Sequence, residues 1–411
     1  MRAFSFALSL LVFGASAGAT AQRAAAGGAA EARLESFDRR QRQLLEPYLE
    51  RGPALLARFY NADSDMPAVS IASYIEAAPE DVARVVTQPA DYARFMPALD
   101  SVEIESQHAT QTAYSWTWTL ALFTLRGRNV MTNYGGNATR GYRVDVRSTQ
   151  GDLGQGRFLW RIYPAGEGRS LVVLSSRTDM RGANYVADQL SSGGRSVQRT
   201  INISMAMVML LGTKNEAQRV AGYVEPEREI GELEPLEMNP RHLWPLLEDG
   251  DLVFMELSGN RIDRMATLGR SSRNEEHTRA VMIDPEEFGR ALISGSTAHV
   301  VETHDDHVVF EWGIPLPIIG VEGRMRLTPT DGVISVDGMS GSLGSSQWRF
   351  DTTVISPHDT AIRGWSRYDM RETSAVIRRM IGDDDAFSHG LAAATQVMIV
   401  RSLRSRSMRH R

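Results

Sequence analysis

A row of aromatic side chains is the feature of this sequence whose residue types and spacing most clearly indicate a chemical role. In the run YSWTWTL, strand-like alternation places Tyr114, Trp116 and Trp118 on one face and hydroxyl-bearing residues on the other. A later run places Phe158 and Trp160 together in the same way. Such side chains bind apolar surfaces by contact rather than by proton or group transfer. The pattern therefore indicates either a pocket for a hydrophobic molecule or an ordinary packed core.

Two methionines extend this apolar set. Helical spacing after residue 195 places Met205 and Met209 on one face of a long predicted helix. Methionine is flexible and fills irregular apolar space, so both residues suit a deformable lining. The candidate ligand-binding residues are Tyr114, Trp116, Trp118, Phe158, Trp160, Met205 and Met209.

No sequence motif for a nucleophile or a cofactor accompanies this lining. The sequence contains no cysteine, and it lacks the G-x-S-x-G, H-E-x-x-H, P-loop and dinucleotide signatures in a suitable context. We therefore assign no catalytic residue and expect no cofactor. Acid–base catalysis by scattered side chains needs no linear motif, so a cavity enzyme stays an alternative.

Two similar phrases, SRTDMR and SRYDMR, pair an acid with an arginine. They supply Asp179 with Arg181, and Asp369 with Arg371. An acid and an arginine electrophile could take part in catalysis, but structural ion pairs produce the same pattern. Because the acid–arginine pair occurs in both halves of the chain, we expect it to anchor the last strand of each half to the following helix.

Three histidines lie close together in the run HVVETHDDH. His299, His304 and His307 are of the type that binds zinc. Two of them flank a polar turn, where side chains are usually solvated, and no second cluster completes a tetrahedral site. We therefore predict no metal site.

The repeated phrases belong to an internal duplication. PYLERG recurs as PLLEDG, APEDVARVV as DPEEFGRAL, and Trp160-Arg161 as Trp348-Arg349, in the same order and about 200 residues apart. In each copy a strand precedes a short helix that begins at Pro79 or Pro285. Alternating runs follow, among them Tyr114–Leu125 as a single strand, and a long helix closes the copy.

The first copy resembles the START/SRPBCC superfamily, which includes polyketide cyclases and coenzyme-Q-binding proteins. APEDVARVV followed by YARFMPALDSVEI is similar to that family's opening, although Ala83 stands where the family often has an aromatic residue. The resemblance implies an α+β fold of two tandem helix-grip domains, each a curved antiparallel sheet wrapped on a long C-terminal helix. It also implies that Tyr92–Ile104, called here the mouth segment, lines the cavity mouth in the first copy.

The expected domain organisation follows from the repeat. The segments are a signal peptide at 1–21, a helical lead-in at 22–62, a first START-like domain at 63–225, a linker and second lead-in at 226–275, and a more divergent second domain at 276–411. The second copy lacks an equivalent of the mouth segment. We therefore expect the main cavity in the first copy.

The N-terminus predicts export. Arg2, an apolar run and the Ala19-Thr20-Ala21 cleavage pattern are typical of a cleavable secretory signal, and the absence of cysteine excludes a lipoprotein anchor. We expect a periplasmic or secreted protein. The net charge of −5 argues against a nucleic-acid partner. The tail RSLRSRSMRHR could contact anionic membrane surfaces or stay solvated.

The sequence thus predicts a protein that binds or shuttles a hydrophobic small molecule, such as a lipid, quinone or polycyclic compound, without covalent chemistry. One alternative is a cavity enzyme of the cyclase/aromatase kind. The other is a structural or protein-interaction duplication whose cavities are filled.

Overall fold

The computed structural model describes 34, 36–59, 67–120, 123–152, 155–179, 195–259, 261–292, 296–315, 320–373, 375, 378, 382 and 385–408. Residues from Leu34 onward form one compact unit. The signal peptide predicted at 1–21 lies outside the described residues, as do Arg181 and the side chain of Asp179.

Sixteen strands belong to the described part of the chain, eight in each copy. In the first copy they are β1 (Ala54–Arg58), β2 (Ala68–Ile75), β3 (Leu99–Gln107), β4 (Gln111–Leu120), β5 (Phe123–Asn137), β6 (Gly141–Gly151), β7 (Gln155–Pro164) and β8 (Ser170–Asp179). In the second they are β9 (Gly250–Ser258), β10 (Arg261–Ser271), β11 (Thr297–Thr303), β12 (Val308–Pro315), β13 (Gly320–Pro329), β14 (Ile334–Gly341), β15 (Gln347–Ser356) and β16 (Asp359–Arg367).

The helices cover both faces of the sheet. They are α1 (Arg39–Leu49), α2 (Pro79–Thr87), α3 (Tyr92–Phe95), α4 (Arg195–Ala221), α5 (Trp244–Leu247), α6 (Glu275–Ile283), α7 (Pro285–Leu292) and α8 (Asp385–Ser407). Pro79 occupies the first turn of α2, followed by Glu80 and Asp81, where proline and acids favour a helix start. Pro285 begins α7 at the equivalent point between β10 and β11. The predicted duplication is therefore confirmed.

All the strands join in one antiparallel sheet. Its order is β3-β4-β5-β6-β7-β8-β2-β1 in the first copy, continuing through β9-β10-β16-β15-β14-β13-β12-β11 in the second. The two halves have the same order read in opposite directions from the β1–β9 junction. The predicted α+β architecture of two tandem helix-grip domains is thus confirmed, with the copies sharing one sheet.

The β1–β9 junction is nearly symmetric. Leu55 pairs with Val253, and these residues are equivalent when PYLERG is aligned with PLLEDG. The glycine that ends each phrase permits close strand approach. A Cβ on Gly52 would lie 2.1 Å from the Met255 carbonyl oxygen, and one on Gly250 would lie 2.2 Å from that of Ala57. The repeated phrases PYLERG and PLLEDG therefore each end at the contact between the two copies.

The long helices close the core on one face of the sheet. The α4 helix packs against β2, β8 and α2, while α8 packs against β9, β10 and α7. The helices also pack against each other, and Gly390 lies where a Cβ would be 2.7 Å from the Ser204 carbonyl oxygen. One hydrophobic core consequently extends through both copies. A smaller core, with Leu45 of α1 and Leu246 of α5, covers the other face at the junction.

Two predictions about elements need correction or refinement. The run read as a single strand, Tyr114–Leu125, belongs to two antiparallel strands, because β4 ends at Leu120, β5 begins at Phe123 and these two residues pair. The run contains no glycine or proline of the kind that usually separates two strands in a sequence. The segment expected as linker and lead-in, 226–275, contains β9 and β10 at the centre of the sheet. The domain boundaries themselves stay predictions.

Candidate ligand-binding cavity

An apolar cavity of about 70 Å³ lies between the sheet of the first copy and α4. Strands β4, β5, β6, β7 and β8 contribute one wall, the mouth segment contributes a second, and α4 contributes a third. The lining residues are Tyr92, Met96, Leu99, Val102, Tyr114, Trp116, Trp118, Asn129, Ser148, Phe158, Thr178, Met205 and Met209.

Six of the seven candidate residues surround this cavity. Tyr114, Trp116 and Trp118 come from β4 as alternation predicted, with Phe158 from β7 and the two methionines from α4. The exception is Trp160, which is 2% exposed and packs in the hydrophobic core beside the cavity without lining it. Ligand contact by these residues stays a prediction.

The mouth segment also lies where the resemblance implied. Tyr92, Met96, Leu99 and Val102 all line the cavity. The segment is held in place because the Trp118 indole N–H donates to the Pro97 carbonyl oxygen at 2.5 Å. The Tyr92 hydroxyl donates to the Val86 carbonyl oxygen.

Trp116 lies flat across a glycine of the neighbouring strand. Gly127 is its cross-strand partner, and a Cβ there would be 2.2 Å from Cζ2 of the indole. The indole Nε1 is buried and has no hydrogen-bond partner among the described residues. The second copy repeats this pair as Trp312 opposite Gly323, which identifies Trp312 as the equivalent of Trp116.

Three polar residues in the wall were missed by sequence reasoning. Asn129 Nδ2 donates to the Tyr114 hydroxyl at 3.2 Å, and Ser148 Oγ donates to Asn129 Oδ1 at 2.8 Å. Thr178 is 2% exposed, and its Oγ1 has no partner among the described residues. These residues lie on β5, β6 and β8, so only the strand register brings them together.

The titratable groups of the described lining are the two tyrosines. Burial raises the pKa of the Tyr114 hydroxyl to about 12, despite the hydrogen bond from Asn129. Burial likewise raises the pKa of Tyr92 well above its usual range. Both phenols are therefore protonated at neutral pH, and neither is a base there.

The interior of the second copy is filled by aromatic rings. Phe288, Phe310 and Phe350 are each fully buried. Phe288 makes edge-to-face contacts with the other two, with ring centroids 6.4 Å and 5.4 Å apart. Only four residues separate α7, which ends at Leu292, from β11, which begins at Thr297, so the chain there is too short for a counterpart of the mouth segment. This contrast agrees with the prediction that the main cavity lies in the first copy.

The acid–arginine pair of the second copy is a structural anchor. The Arg371 Nε donates to both oxygens of Asp369, at 2.9 and 2.8 Å, and its NH1 donates to Asp385 at 3.0 Å. Asp369 also accepts from Ser388 of α8. Burial raises the pKa of Asp369, but its hydrogen bonds with Arg371 outweigh this and hold the pKa below its usual value. The pair thus connects the end of β16 to α8.

The histidine run forms no metal centre in the described structure. His299 contacts Glu311 at 3.2 Å, His304 contacts Glu302 at 3.3 Å, and these side chains are largely exposed. Among the described residues, no three potential ligands lie close enough together to hold a metal ion.

Much of the basic tail belongs to α8. Arg404 pairs with the fully buried Asp251 at 2.7 Å, and Arg406 pairs with Glu287 at 2.6 Å. Among described helices, none is long and apolar enough to cross a membrane. Peripheral contact through the tail stays a prediction.

The first copy matches a known protein family. Residues 66–196 match the family described as polyketide cyclase / dehydrase and lipid transport. This match confirms the resemblance for the first copy. A search of curated proteins found no match.

Several solved structures are similar to this chain. The Zhui aromatase/cyclase from a Streptomyces species is 19% identical, covering 38% of this chain and 98% of its own, with a TM-score of 0.32. A STAR-related lipid transfer protein from Xanthomonas axonopodis is 12% identical over 41% of this chain and 94% of its own, with a TM-score of 0.33. The di-domain ARO/CYC protein StfQ of the steffimycin pathway is 9% identical over 80% of this chain and 98% of its own, with a TM-score of 0.28.

Proposed function

We propose that this protein binds a hydrophobic small molecule in the cavity of its first copy and holds or shuttles it without covalent chemistry. The observation that carries the proposal is the apolar cavity between β4, the mouth segment and α4. A ligand there would exchange water for aromatic and thioether contacts, which provides affinity in proportion to the apolar area buried. A lipid, a quinone or a polycyclic compound suits the chemistry of this lining. Each is larger than the space of about 70 Å³, so its entry requires movement of flexible lining side chains such as Met205 and Met209.

The lining favours binding over catalysis. Its two titratable groups, Tyr92 and Tyr114, hold their protons at neutral pH. General acid–base catalysis works best when a group has a pKa near the working pH. The family match to a polyketide cyclase / dehydrase and lipid transport group is compatible with a binding role.

The proposal includes a location outside the cytoplasm. Arg2, the apolar run after it and the Ala19-Thr20-Ala21 pattern support export through a cleavable signal. Peripheral contact of the C-terminal tail with a membrane would bring the cavity close to a source of hydrophobic ligand. N-terminal sequencing of the mature protein from its host tests the export step, with Gln22 expected as the first residue.

Two matched substitutions test the binding site. Met205 of α4 is 9% exposed and lines the cavity, while Met398 of α8 is 7% exposed in the filled copy. We expect Met205→Glu to abolish binding of an environment-sensitive apolar dye, because a buried charge opposes an apolar ligand. Met398→Glu should lower the melting temperature and leave dye binding to the folded protein intact. Dye binding that survives Met205→Glu but is lost in folded Met398→Glu would contradict the proposal.

A further inference from the structure

We infer that the ligand is a neutral molecule with a hydroxyl group, and that this group binds between Ser148 and Thr178 on the cavity wall. The inference rests on the proposed function and names the class of ligand that the same cavity selects. It is carried by a row of four polar side chains and one glycine that crosses five strands of an otherwise apolar wall.

The strand register aligns the members of this row, called here the polar row. Tyr114 of β4 pairs with Asn129 of β5, and Asn129 pairs with Ser148 of β6. Gly156 of β7 lies beside Ser148, whose Cβ is 3.6 Å from a Cβ built on the glycine, and it pairs with Thr178 of β8. The polar row is therefore Tyr114, Asn129, Ser148, Gly156 and Thr178.

Gly156 leaves a notch in the polar row. The atoms nearest to a Cβ on this glycine would be Phe158 Cε2 at 3.4 Å, Thr178 Oγ1 at 3.5 Å and the Ser148 Cβ at 3.6 Å. These are ordinary contact distances, so the space at Gly156 could hold a methyl group. In its absence, a small ligand group would lie within contact distance of Thr178 Oγ1 and of the Ser148 side chain.

The hydrogen-bond pattern specifies what this ligand group must offer. The Ser148 hydroxyl donates its hydrogen to Asn129, so its oxygen can only accept further bonds. Thr178 Oγ1 has no partner among the described residues, although buried hydroxyls are usually satisfied. A ligand hydroxyl matches both, since it can donate to Ser148 and accept from Thr178. A ligand carbonyl oxygen could accept a hydrogen bond from Thr178. It could not donate to Ser148, so the lone pairs of the two oxygens would repel each other.

The described lining offers no counter-charge to a charged head group. None of its thirteen residues is an acid, lysine, arginine or histidine. A carboxylate or phosphate carried into this site would lose its hydration without gaining a counter-charge. The cavity therefore favours neutral alcohols over fatty acids and phospholipid head groups.

The second copy shows that the fold does not need a polar row. Phe310 pairs with Met325, and Met325 pairs with Gly338, at the positions equivalent to Tyr114, Asn129 and Ser148. Tyr368 occupies the position of Thr178 in the repeated SRYDMR phrase and is 4% exposed. Its hydroxyl donates a hydrogen bond to the Ala392 carbonyl oxygen at 2.8 Å. In that copy the equivalent residues are apolar or have a hydrogen-bond partner within the protein. We therefore infer that the polar residues of the first copy are there to bind a ligand.

Three matched probes test the inference: naphthylmethanol, ethylnaphthalene and naphthoate. Their dissociation constants are measured by quenching of tryptophan fluorescence in the full-length protein and in three variants. Thr178→Val keeps the side-chain shape but removes the hydroxyl, and Gly156→Ala fills the notch. Tyr368→Phe removes the equivalent hydroxyl from the second copy and is the control.

We expect Thr178→Val to weaken naphthylmethanol binding roughly tenfold and to leave ethylnaphthalene binding within about twofold of the parent, as the loss of one hydrogen bond predicts. Gly156→Ala should weaken binding of both probes, because the new methyl group occupies the space that either terminal group would enter. Tyr368→Phe should change neither constant, and naphthoate should bind most weakly. Equal weakening of alcohol and hydrocarbon by Thr178→Val, or tight naphthoate binding, would overturn the inference while leaving apolar binding in place. Binding of none of the probes to the parent protein would overturn the proposed function as well.

Discussion

Gly127 determines where the Trp116 indole lies, and hence the shape of one cavity wall. A Cβ at this position would overlap Cζ2, Cε2 and Nε1 of the ring, at 2.2 to 2.9 Å. All three nearest atoms belong to a side chain, so the ring would move rather than the backbone of β4. The open cavity is the space into which it would move.

We therefore predict that Gly127→Ala reduces binding of an apolar dye at least severalfold while the protein stays folded. The cost in stability should be about 1–3 kcal/mol, as for other overpacked sites. Dye titration and chemical denaturation measure the two effects. Unchanged dye affinity with the same loss of stability would show that the indole does not border the ligand.

Some residues of the cavity lining can be predicted from the sequence, whereas others can be identified only from the pairing of the strands. Tyr114, Trp116 and Trp118 alternate within one short run, so their shared face was predictable from the strand period. Asn129 and Ser148 stand in separate runs with no distinguishing neighbours. Their contact depends on how β5 pairs with β6, which includes an irregular register that no local pattern encodes.

At the scale of elements, the joint between β16 and α8 depends on Asp369. Its carboxylate accepts from the backbone N–H of Arg371 at 2.8 Å and from the Ser388 hydroxyl at 3.2 Å. Because the pKa of Asp369 is lowered in the folded protein, its charge contributes stability above its ordinary pKa. That contribution is lost as the pH falls through the lowered value.

Asp369→Ala should accordingly lower the free energy of unfolding by about 1 kcal/mol at neutral pH, the usual cost of losing a partly exposed cap and ion pair. The difference from the parent should shrink as the pH falls below the ordinary aspartate pKa and towards the lowered pKa of Asp369 in the folded protein. Urea unfolding at several pH values measures it. A difference that is constant with pH would contradict the role of the charge.

Arg404 connects α8 to the strand at the centre of the molecule. It donates two hydrogen bonds to Asp251 of β9, whose side chain is fully buried. Arg404→Leu should cost about 3–5 kcal/mol, because a buried carboxylate is left without its partner. Arg406→Leu is the control, since its partner Glu287 is partly exposed and such pairs contribute up to about 1 kcal/mol. Equal effects of the two changes on the melting temperature would refute this difference.

The elements at the junction were the hardest to predict. All five residues of β1 are buried, so ALLAR shows no alternation of apolar and polar residues. A short apolar run of this kind cannot be distinguished from part of a helix by periodicity alone. The long helices and most outer strands, by contrast, carry clear patterns and were predicted from them.

At the scale of the whole molecule, one sheet and a pair of packed helices connect the two copies. Gly52 and Gly250 permit the approach of β1 and β9, and Gly52 also has a φ of 152°, in the region that favours glycine. Because the core is continuous across the junction, we expect one cooperative unfolding transition for both copies.

Gly52→Ala and Gly250→Ala should each shift this single transition to lower temperature, because the new Cβ would overlap a backbone carbonyl of the facing strand. Gly332→Ala is the control, as a Cβ there meets no atom within 4 Å. Differential scanning calorimetry makes the comparison. Two separate transitions in the parent protein, or a shift confined to one of them, would contradict a shared fold.

The duplication also suggests a division of labour between the copies. Phe288, Phe310 and Phe350 fill the second interior, whereas the first keeps a cavity beneath its mouth segment. The second copy then stabilises the first through the pairing of β9 with β1 and the packing of α8 against α4. We therefore expect the ligand to bind in the first copy.

The most direct test of the account is native mass spectrometry of protein purified without detergent, followed by solvent extraction and identification of what is released. We predict one neutral hydrophobic molecule for each chain of the parent protein, chemically unchanged when it is isolated and added back. The Met205→Glu variant, folded as judged by its melting transition, should carry none. Parent protein that carries no such molecule and takes up none when offered lipid extract, or a variant that retains it, would contradict the central claim that the cavity of the first copy is a binding site.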